Sequence, residues 1–302
     1  MVGHPKSGTS ALYEMLCSYP QIHMPRKEPS FFVPELRSAR STRFPGGLED
    51  YLALFDGATP EQLIGEATTS YLFSHEAAAR IAEVQPAARI VAILREPASF
   101  LRSLHLQFLR SHVETERDLR KALALEQPRR EGKQLPPNST RPQALAYSEH
   151  IRYVEQLQRY RAAFPPEQVL VLIYEDFRAD NVATVQQVLR FLGIEDAPAA
   201  EPVEVNRAAG LRSTRLQQTV RSLYLGRAPG TRVAKSTVKA LTPRRARRRA
   251  LAIVDRAQHS EPPPLDPAFA RELRLRFKDE VAFVGEYLGR DLTSFWGYDR
   301  ID

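Results

Sequence analysis

Apolar residues follow two spacings along the chain: short unbroken runs, and longer stretches with steps of three and four. Arg89 to Leu94 and Val169 to Tyr174 are runs of the first kind, which suit parallel strands covered on both faces. Gln62 to Thr68 predicts a third buried strand. Leu12, Met15 and Leu16 share one face of a helix that stops at Ser18-Tyr19-Pro20. Leu101, Leu104, Phe108 and Leu109 repeat that pattern on a helix opened by Pro97. Further helices are predicted over Leu48 to Phe55, Ser74 to Val84, Ser148 to Phe164, and Ala183 to Leu192, the last ended by Gly193. Leu273, Phe277, Val281, Val284 and Leu288 mark a closing helix. Residues 113–146 are polar, charged and proline-containing, and read as an excursion on the substrate side rather than as core. With no internal repeat, this alternation predicts a single α/β domain over residues 1–302, in three layers around a central parallel sheet.

Composition narrows the class. A chain of 302 residues, 43% of them hydrophobic, is long enough to bury a proper core. No apolar run approaches the roughly 18 residues of a membrane span, and no basic-then-apolar leader is seen. The single Cys17 lies in the first helix, where a buried thiol and a reducing, cytoplasmic setting are expected. In that setting the sequon Asn138-Ser139-Thr140 is accidental.

The net charge of +7 is unevenly spread. Residues 206–256 hold fourteen Lys or Arg against the single acid Asp255, a net +13, which leaves −6 for the remainder. A basic, variable helical segment over 207–262 on a mildly acidic body suggests an anionic partner: a phosphorylated cofactor, an acidic glycan or a lipid surface. A solvated Arg-rich helix face accounts for it equally well. The run Arg244 to Arg249 has no interleaved aromatics to stack bases, so specific nucleic-acid binding is not expected. Peripheral membrane contact stays open, and nothing in the sequence speaks to oligomeric state.

The candidate chemistry begins at Gly3-His4-Pro5-Lys6-Ser7-Gly8-Thr9-Ser10. A nucleotide triphosphatase loop reads G-x-x-x-x-G-K-[ST]. Here Gly3 and Gly8 keep the spacing while the lysine sits between them, at Lys6. Backbone N–H groups can converge on an anion where the helix begins, and the hydroxyls of Ser7, Thr9 and Ser10 add donors. Only Met1 and Val2 precede the loop, so the strand feeding it is either very short or starts upstream. A second candidate is Arg95, at the end of an apolar strand, with Ser103 eight residues later. Ligands of such sheets lie beyond the carboxyl ends of strands, where a guanidinium can grip a phosphate bidentately.

These segments resemble the PAPS-dependent sulfotransferases of the bacterial, carbohydrate-type branch, enzymes that use 3′-phosphoadenosine-5′-phosphosulfate (PAPS). Pro5 to Thr9 resembles their 5′-phosphosulfate loop, and Arg95-Glu96-Pro97 with Ser103 their 3′-phosphate motif. Lys27-Glu28-Pro29-Ser30-Phe31-Phe32 is similar to the segment where a glutamate before two aromatics acts as catalytic base. Gly65 to Leu72 is similar to G-E-x-[ST]-P-x-Y-L, with Thr69 where proline is usual. Tyr174 to Phe177, Phe191-Leu192-Gly193, and Leu288 to Leu292 with Trp296 also match. Residues 113–146 and 208–262 lie outside the resemblance. Ser30 and Val33 stand where glucosaminyl 3-O-sulfotransferases carry His and Asp, so heparan-type recognition is not supported. His4 occupies a position that is commonly small or apolar.

The resemblance implies a P-loop-like fold and an enzyme that moves the sulfuryl group of PAPS by in-line displacement. The acceptor would be a hydroxyl or amine of a glycan, glycolipid or small molecule. It makes Lys6 and Glu28 catalytic, and Pro5, Lys6, Ser7, Gly8, Thr9, Ser10, Arg95 and Ser103 donor-binding, with no metal required. The transferring group is nearly neutral when dissociated, unlike the anionic group of phosphoryl transfer, so a lysine and backbone donors can replace magnesium. A base at Glu28 favours a partly desolvated carboxylate of raised pKa. His105 and His23 are alternative bases, and an arginine in 207–215 is a further candidate for the 3′-phosphate. Two other readings compete. A P-loop kinase or NTPase needs a metal-binding Asp where this chain has Leu94-Arg95. A noncatalytic anion-binding protein would keep its function in Glu28→Gln and Lys6→Ala.

Overall fold

The computed structural model describes residues 1–36, 44–111, 113–137, 142–194, 210–211, 259–260 and 265–301. They fall into two compact units, Met1–Asn206 with Leu265–Asp302, and Arg207–Pro264. In the second unit Gly210–Leu211 pairs antiparallel with His259–Ser260. All fourteen basic residues of 206–256, the sequon, and the arginines of 207–215 lie outside the described residues.

The first unit is built on parallel strands. Ile22–His23 (β1) pairs with Leu63–Ile64 (β2), and Ile90–Leu94 (β3) pairs in register with Val169–Ile173 (β4). Residues 1–4 join the two pairs. Val2 N–H donates to Val91 O (2.9 Å), Ile93 N–H to Gly3 O (2.7 Å) and His4 N–H to Ile93 O (2.8 Å). On the other side Thr68 N–H donates to Met1 O (3.0 Å) and Leu72 N–H to Val2 O (2.7 Å). The residues feeding the loop are therefore bonded on both edges. β2 is shorter than the run Gln62 to Thr68 predicts, and Leu63 and Ile64 are exposed. Its ladder continues irregularly, through Gly65 N–H to His23 O (2.9 Å) and Glu28 N–H to Ala67 O (2.8 Å).

β3 divides two cores by its alternation. Ile90, Ala92 and Leu94 face Ala77–Val84 (α3), Pro97–Ser111 (α4), Tyr153–Ala163 (α7) and Pro267–Leu288 (α10). Val91 and Ile93 face Thr9–Cys17 (α1) and Asn181–Phe191 (α9). Helices on both faces of a parallel sheet make the three-layer α/β/α arrangement read from the sequence. α9 ends as predicted, with Gly193 left-handed at φ 76 and Ile194 N–H closing on Leu189 O at 2.9 Å. Leu12, Met15 and Leu16 are buried on α1, but Cys17 falls beyond that stripe and is exposed, contrary to expectation.

The excursion also departs from its sequence reading. Leu119–Ala124 (α5) places Leu119, Ala122 and Leu123 in the larger core, and Glu126–Arg130 (α6) follows. Arg129 meets Glu114 bidentately, at 2.6 and 2.8 Å, with both side chains buried. A charged outer face hides the apolar step of three and four in this stretch.

Candidate functional site

The loop from Gly3 to Gly8 turns because three residues take unusual backbone angles. Gly8 is left-handed at φ 80, and a Cβ there would lie 2.8 Å from Phe177 Cδ1. A Cβ on Gly3 would lie 2.7 Å from Leu72 Cβ and 2.9 Å from Thr69 O. Lys6 is left-handed without being glycine, at φ 63, a strain of order 1 kcal/mol that persists where the surroundings impose it. Glu28 (φ 63) and Ser30 (φ 54) share this feature, so three of the four such residues described belong to the loop or to the Lys27–Phe32 segment.

α1 opens at Gly8 with no side-chain cap and no acid in its first turn. Its leading N–H groups and partial positive charge are thus left for an anion. Ser7 Oγ is buried and has no partner among the described residues, while Thr9 is buried and Ser10 exposed. Pro5 is partly exposed.

Three cations surround this turn. Lys6 Nζ donates to Gln107 Oε1 at 3.3 Å. Burial, then Arg110, Arg95 and Lys27, hold its ammonium below the ordinary lysine value. Lys27 Nζ donates to Thr9 Oγ1 and Ser10 Oγ, both at 3.0 Å. Burial also lowers the Lys27 pKa, against the opposing pull of Glu28 and Glu14. Arg95 donates from Nη1 to Lys6 O and from Nε to Ser99 Oγ, both at 2.7 Å, and lies over the Tyr174 ring at 4.5 Å. Ser103 is buried one turn beyond Ser99 on α4, and among the described residues no hydrogen bond joins it to Arg95. Among the described residues no further hydrogen bond of the Arg95 guanidinium is seen beyond those to Lys6 O and Ser99 Oγ.

The frame behind Arg95 is closed by the chain's last turns. Glu96 caps α4, accepting from Ala98 N–H (3.1 Å), Ser99 N–H (2.7 Å) and the Tyr298 hydroxyl (2.8 Å). Glu175 accepts from Glu96 N–H (3.3 Å) and Trp296 Nε1 (3.0 Å). The Tyr153 hydroxyl donates to Arg95 O at 2.8 Å.

Glu28 follows Lys27, whose ammonium is bonded to this turn. Tyr13 OH donates to Pro25 O at 2.7 Å and fixes the approach of this segment to α1. The Glu28 carboxylate accepts from Thr69 Oγ1 at 3.0 Å, and from Thr69 N–H at 3.3 and 3.5 Å. It lies 3.8 Å from Lys27 Nζ and is 37% exposed. Phe31 and Phe32 N–H both donate to the Tyr71 hydroxyl, at 2.9 and 3.3 Å. Phe31 stacks on Tyr51 of Leu48–Leu52 (α2), centroids 4.5 Å apart. A carboxylate beside a cation-ringed anion turn can take a proton from a group attacking the bound anion.

His105, one alternative base, is engaged elsewhere. His105 is buried, with Nε2 donating to Arg117 O (3.2 Å) and Nδ1 3.0 Å from the Tyr147 hydroxyl, and burial lowers its pKa. His23 lies on β1 against Gly57. His4 is buried under the loop, bonded to Gln156 Oε1 at 2.7 Å, and burial drives its pKa to about 3. The sequence reading missed Lys27 and Gln107 as partners of the loop. Lys27 is visible beside Glu28, but no spacing rule links it to hydroxyls 17 and 18 residues earlier.

Comparison with known proteins gives this site its context. The family model described as "Sulfotransferase family" matches residues 1–198. Bifunctional heparan sulfate N-deacetylase/N-sulfotransferase 4 of Mus musculus is 28% identical over 198 residues, covering 64% of this chain and 22% of its own length. Heparan sulfate glucosamine 3-O-sulfotransferase 6 of Homo sapiens is 29% identical over 195 residues, covering 65% of this chain and 52% of its own. The chain thus spans about a fifth and about half of these relatives. The crystal structure of a sulfotransferase from Alicyclobacillus acidocaldarius is 25% identical, with a TM-score of 0.68 over 98% of this chain and 96% of that one. The P-loop-like fold follows from that likeness, and among the described residues no helix is long and apolar enough to cross a membrane. By the extent of the match to the family model, the chain belongs to the sulfotransferase family.

Proposed function

We propose that this chain transfers a sulfuryl group from PAPS to a hydroxyl or amine of a glycan, glycolipid or small-molecule acceptor, by in-line displacement at sulfur. The observation that carries the reading is the uncapped, acid-free start of α1, ringed by Lys6, Lys27 and Arg95, with the Glu28 carboxylate 3.8 Å from Lys27. The buried Ser7 hydroxyl, without a partner among the described residues, and the Gly8 turn, which a Cβ would fill, fit a bound phosphosulfate. PAPS supplies an activated sulfuryl group and a bisphosphate leaving group.

The roles of the chain's residues follow from their positions. Pro5 to Ser10 hold the 5′-phosphosulfate through backbone N–H groups and hydroxyls. Lys6 balances negative charge growing on the leaving oxygen, which its cationic neighbours make more favourable. Lys27, between loop and base, balances charge on the group in transit. Glu28 takes the acceptor proton, and a metal is not needed for any of these roles. Arg95 and Ser103 hold the 3′-phosphate and so separate PAPS from ATP. We assign the substrate side to 113–146, and the basic 207–262 segment to contact with an anionic acceptor or surface. The single cysteine fits a reducing, cytoplasmic setting.

The test is calorimetric binding of 3′,5′-adenosine bisphosphate (PAP), against ATP with magnesium, to wild type and Arg95→Ala. Metal-independent PAP binding, weakened at least about tenfold by Arg95→Ala, is expected for loss of a charge-assisted phosphate contact. Preference for ATP with magnesium would sink the proposal in favour of a nucleotide kinase.

A further inference from the structure

Thr69 touches both halves of the site. Its carbonyl is packed against Gly3, so closely that a Cβ on Gly3 would lie 2.9 Å from it. Its hydroxyl donates to Glu28 Oε1 at 3.0 Å, and its N–H faces both carboxylate oxygens at 3.3 and 3.5 Å. The residues around it are tied down as well. Thr68 N–H is bonded to Met1 O, and Leu72 N–H to Val2 O. Ser30 N–H donates to Thr68 Oγ1 at 3.2 Å. Lys27, 3.8 Å from the carboxylate, is held by Thr9 and Ser10 on the loop side.

We propose that Thr69 is a positioning residue that aims the Glu28 carboxylate at the anion turn and keeps that aim in register with the phosphate loop. The inference rests on reading Glu28 as the base. A glutamate has three side-chain torsions, and an exposed one samples many rotamers. Glu28 is 37% exposed, so burial does not fix it. Two donors from one residue, whose carbonyl is braced on the loop, restrict it to one direction. Catalysis is sensitive to such aim, because small misplacements of a reacting group cost large factors in rate. A proline at this position would offer neither donor, so here the sequence has gained a second hold on the base.

The experiment compares wild type, Thr69→Val, Thr69→Ser and Glu28→Gln. Crystal structures with PAP bound locate the Glu28 carboxylate, and calorimetry measures PAP affinity. Release of PAP from PAPS gives turnover, with water as the acceptor when no hydroxyl acceptor is added. Thr69→Val is close to isosteric and keeps the N–H, so it should fold. In it the carboxylate should leave its wild-type position, turnover should fall about tenfold, and PAP affinity should stay within about twofold. Thr69→Ser should restore both carboxylate position and turnover. In the Glu28→Gln background Thr69→Val should cost nothing further, since its effect runs through the carboxylate. A carboxylate unmoved in Thr69→Val, or a loss that serine does not rescue, overturns the inference and leaves Glu28 as base. Undiminished turnover in Glu28→Gln overturns the base assignment, and the role of Thr69 falls with it.

Discussion

Replacing Gly8 by alanine separates backbone strain from steric strain in the anion turn. At φ 80 an alanine costs about 1–2 kcal/mol. Its Cβ would also lie 2.8 and 2.9 Å from Phe177 Cδ1 and Cε1, and 3.4 Å from Tyr174 Cδ2. Phe177 is fully buried, so its ring cannot swing into solvent, and overpacking of this kind adds about 1–3 kcal/mol. The sum of about 2–5 kcal/mol corresponds to about 5–15 °C in melting temperature for a unit of this size. Gly132 supplies the control, because it has nearly the same angle, φ 77, and nothing within 4 Å of a built Cβ. Gly132→Ala should lose only the backbone part, about 3–6 °C. Differential scanning calorimetry of both variants gives the comparison, and PAP titration should show a weakened site only in Gly8→Ala. If the two variants melt together and both bind PAP like wild type, Phe177 does not brace the turn and the packing argument is wrong.

Lys27→Met keeps the length of the side chain while removing its charge. It should lower turnover about a hundredfold and PAP affinity by less than tenfold, measured by PAP release and calorimetry; unchanged turnover would remove Lys27 from the reaction. Acid should weaken the fold through two buried histidines. Burial drives His4 to about 3 and His150 to about 4, so the unfolded chain binds protons first as pH falls below about 6.5. Each should lower stability by about 1.4 kcal/mol per pH unit until its folded value is reached. Urea unfolding between pH 7 and pH 5 should show a shallower slope for His150→Phe, and equal slopes would contradict this origin.

The legible parts of the site were those written locally. Gly8, Lys6 and the apolar face of α1 are neighbours in sequence, and Arg95 ends an apolar run that can only be a buried strand. The parts that escaped depend on pairing between distant segments. β2 could not be judged from its apolar run, because its exposure depends on which helices cover it. α5 was hidden because Arg117, Asp118, Arg120 and Lys121 break up the run around its three core residues, Leu119, Ala122 and Leu123. Cys17 looked buried by residue type, yet its helical phase puts it outside the stripe of Leu12 and Leu16. The reach of Lys27 depends on the Tyr13–Pro25 bond, which no spacing in the sequence announces.

The clasp of Trp296 and Tyr298 on Glu175 and Glu96 sets a limit on modularity. A fragment ending at residue 198, where the family match stops, would contain Lys6, Glu28, Arg95 and Ser103. It would nonetheless lose the donors to two carboxylates that frame Arg95, and uncover the core face filled by Phe269, Leu273, Phe277, Val281 and Val284. Grafts between family members therefore need to exchange the closing helix together with the loop-bearing half, even though the two lie far apart in sequence. The portion of the chain that carries the recognisable motifs is smaller than the portion that must be inherited as one piece.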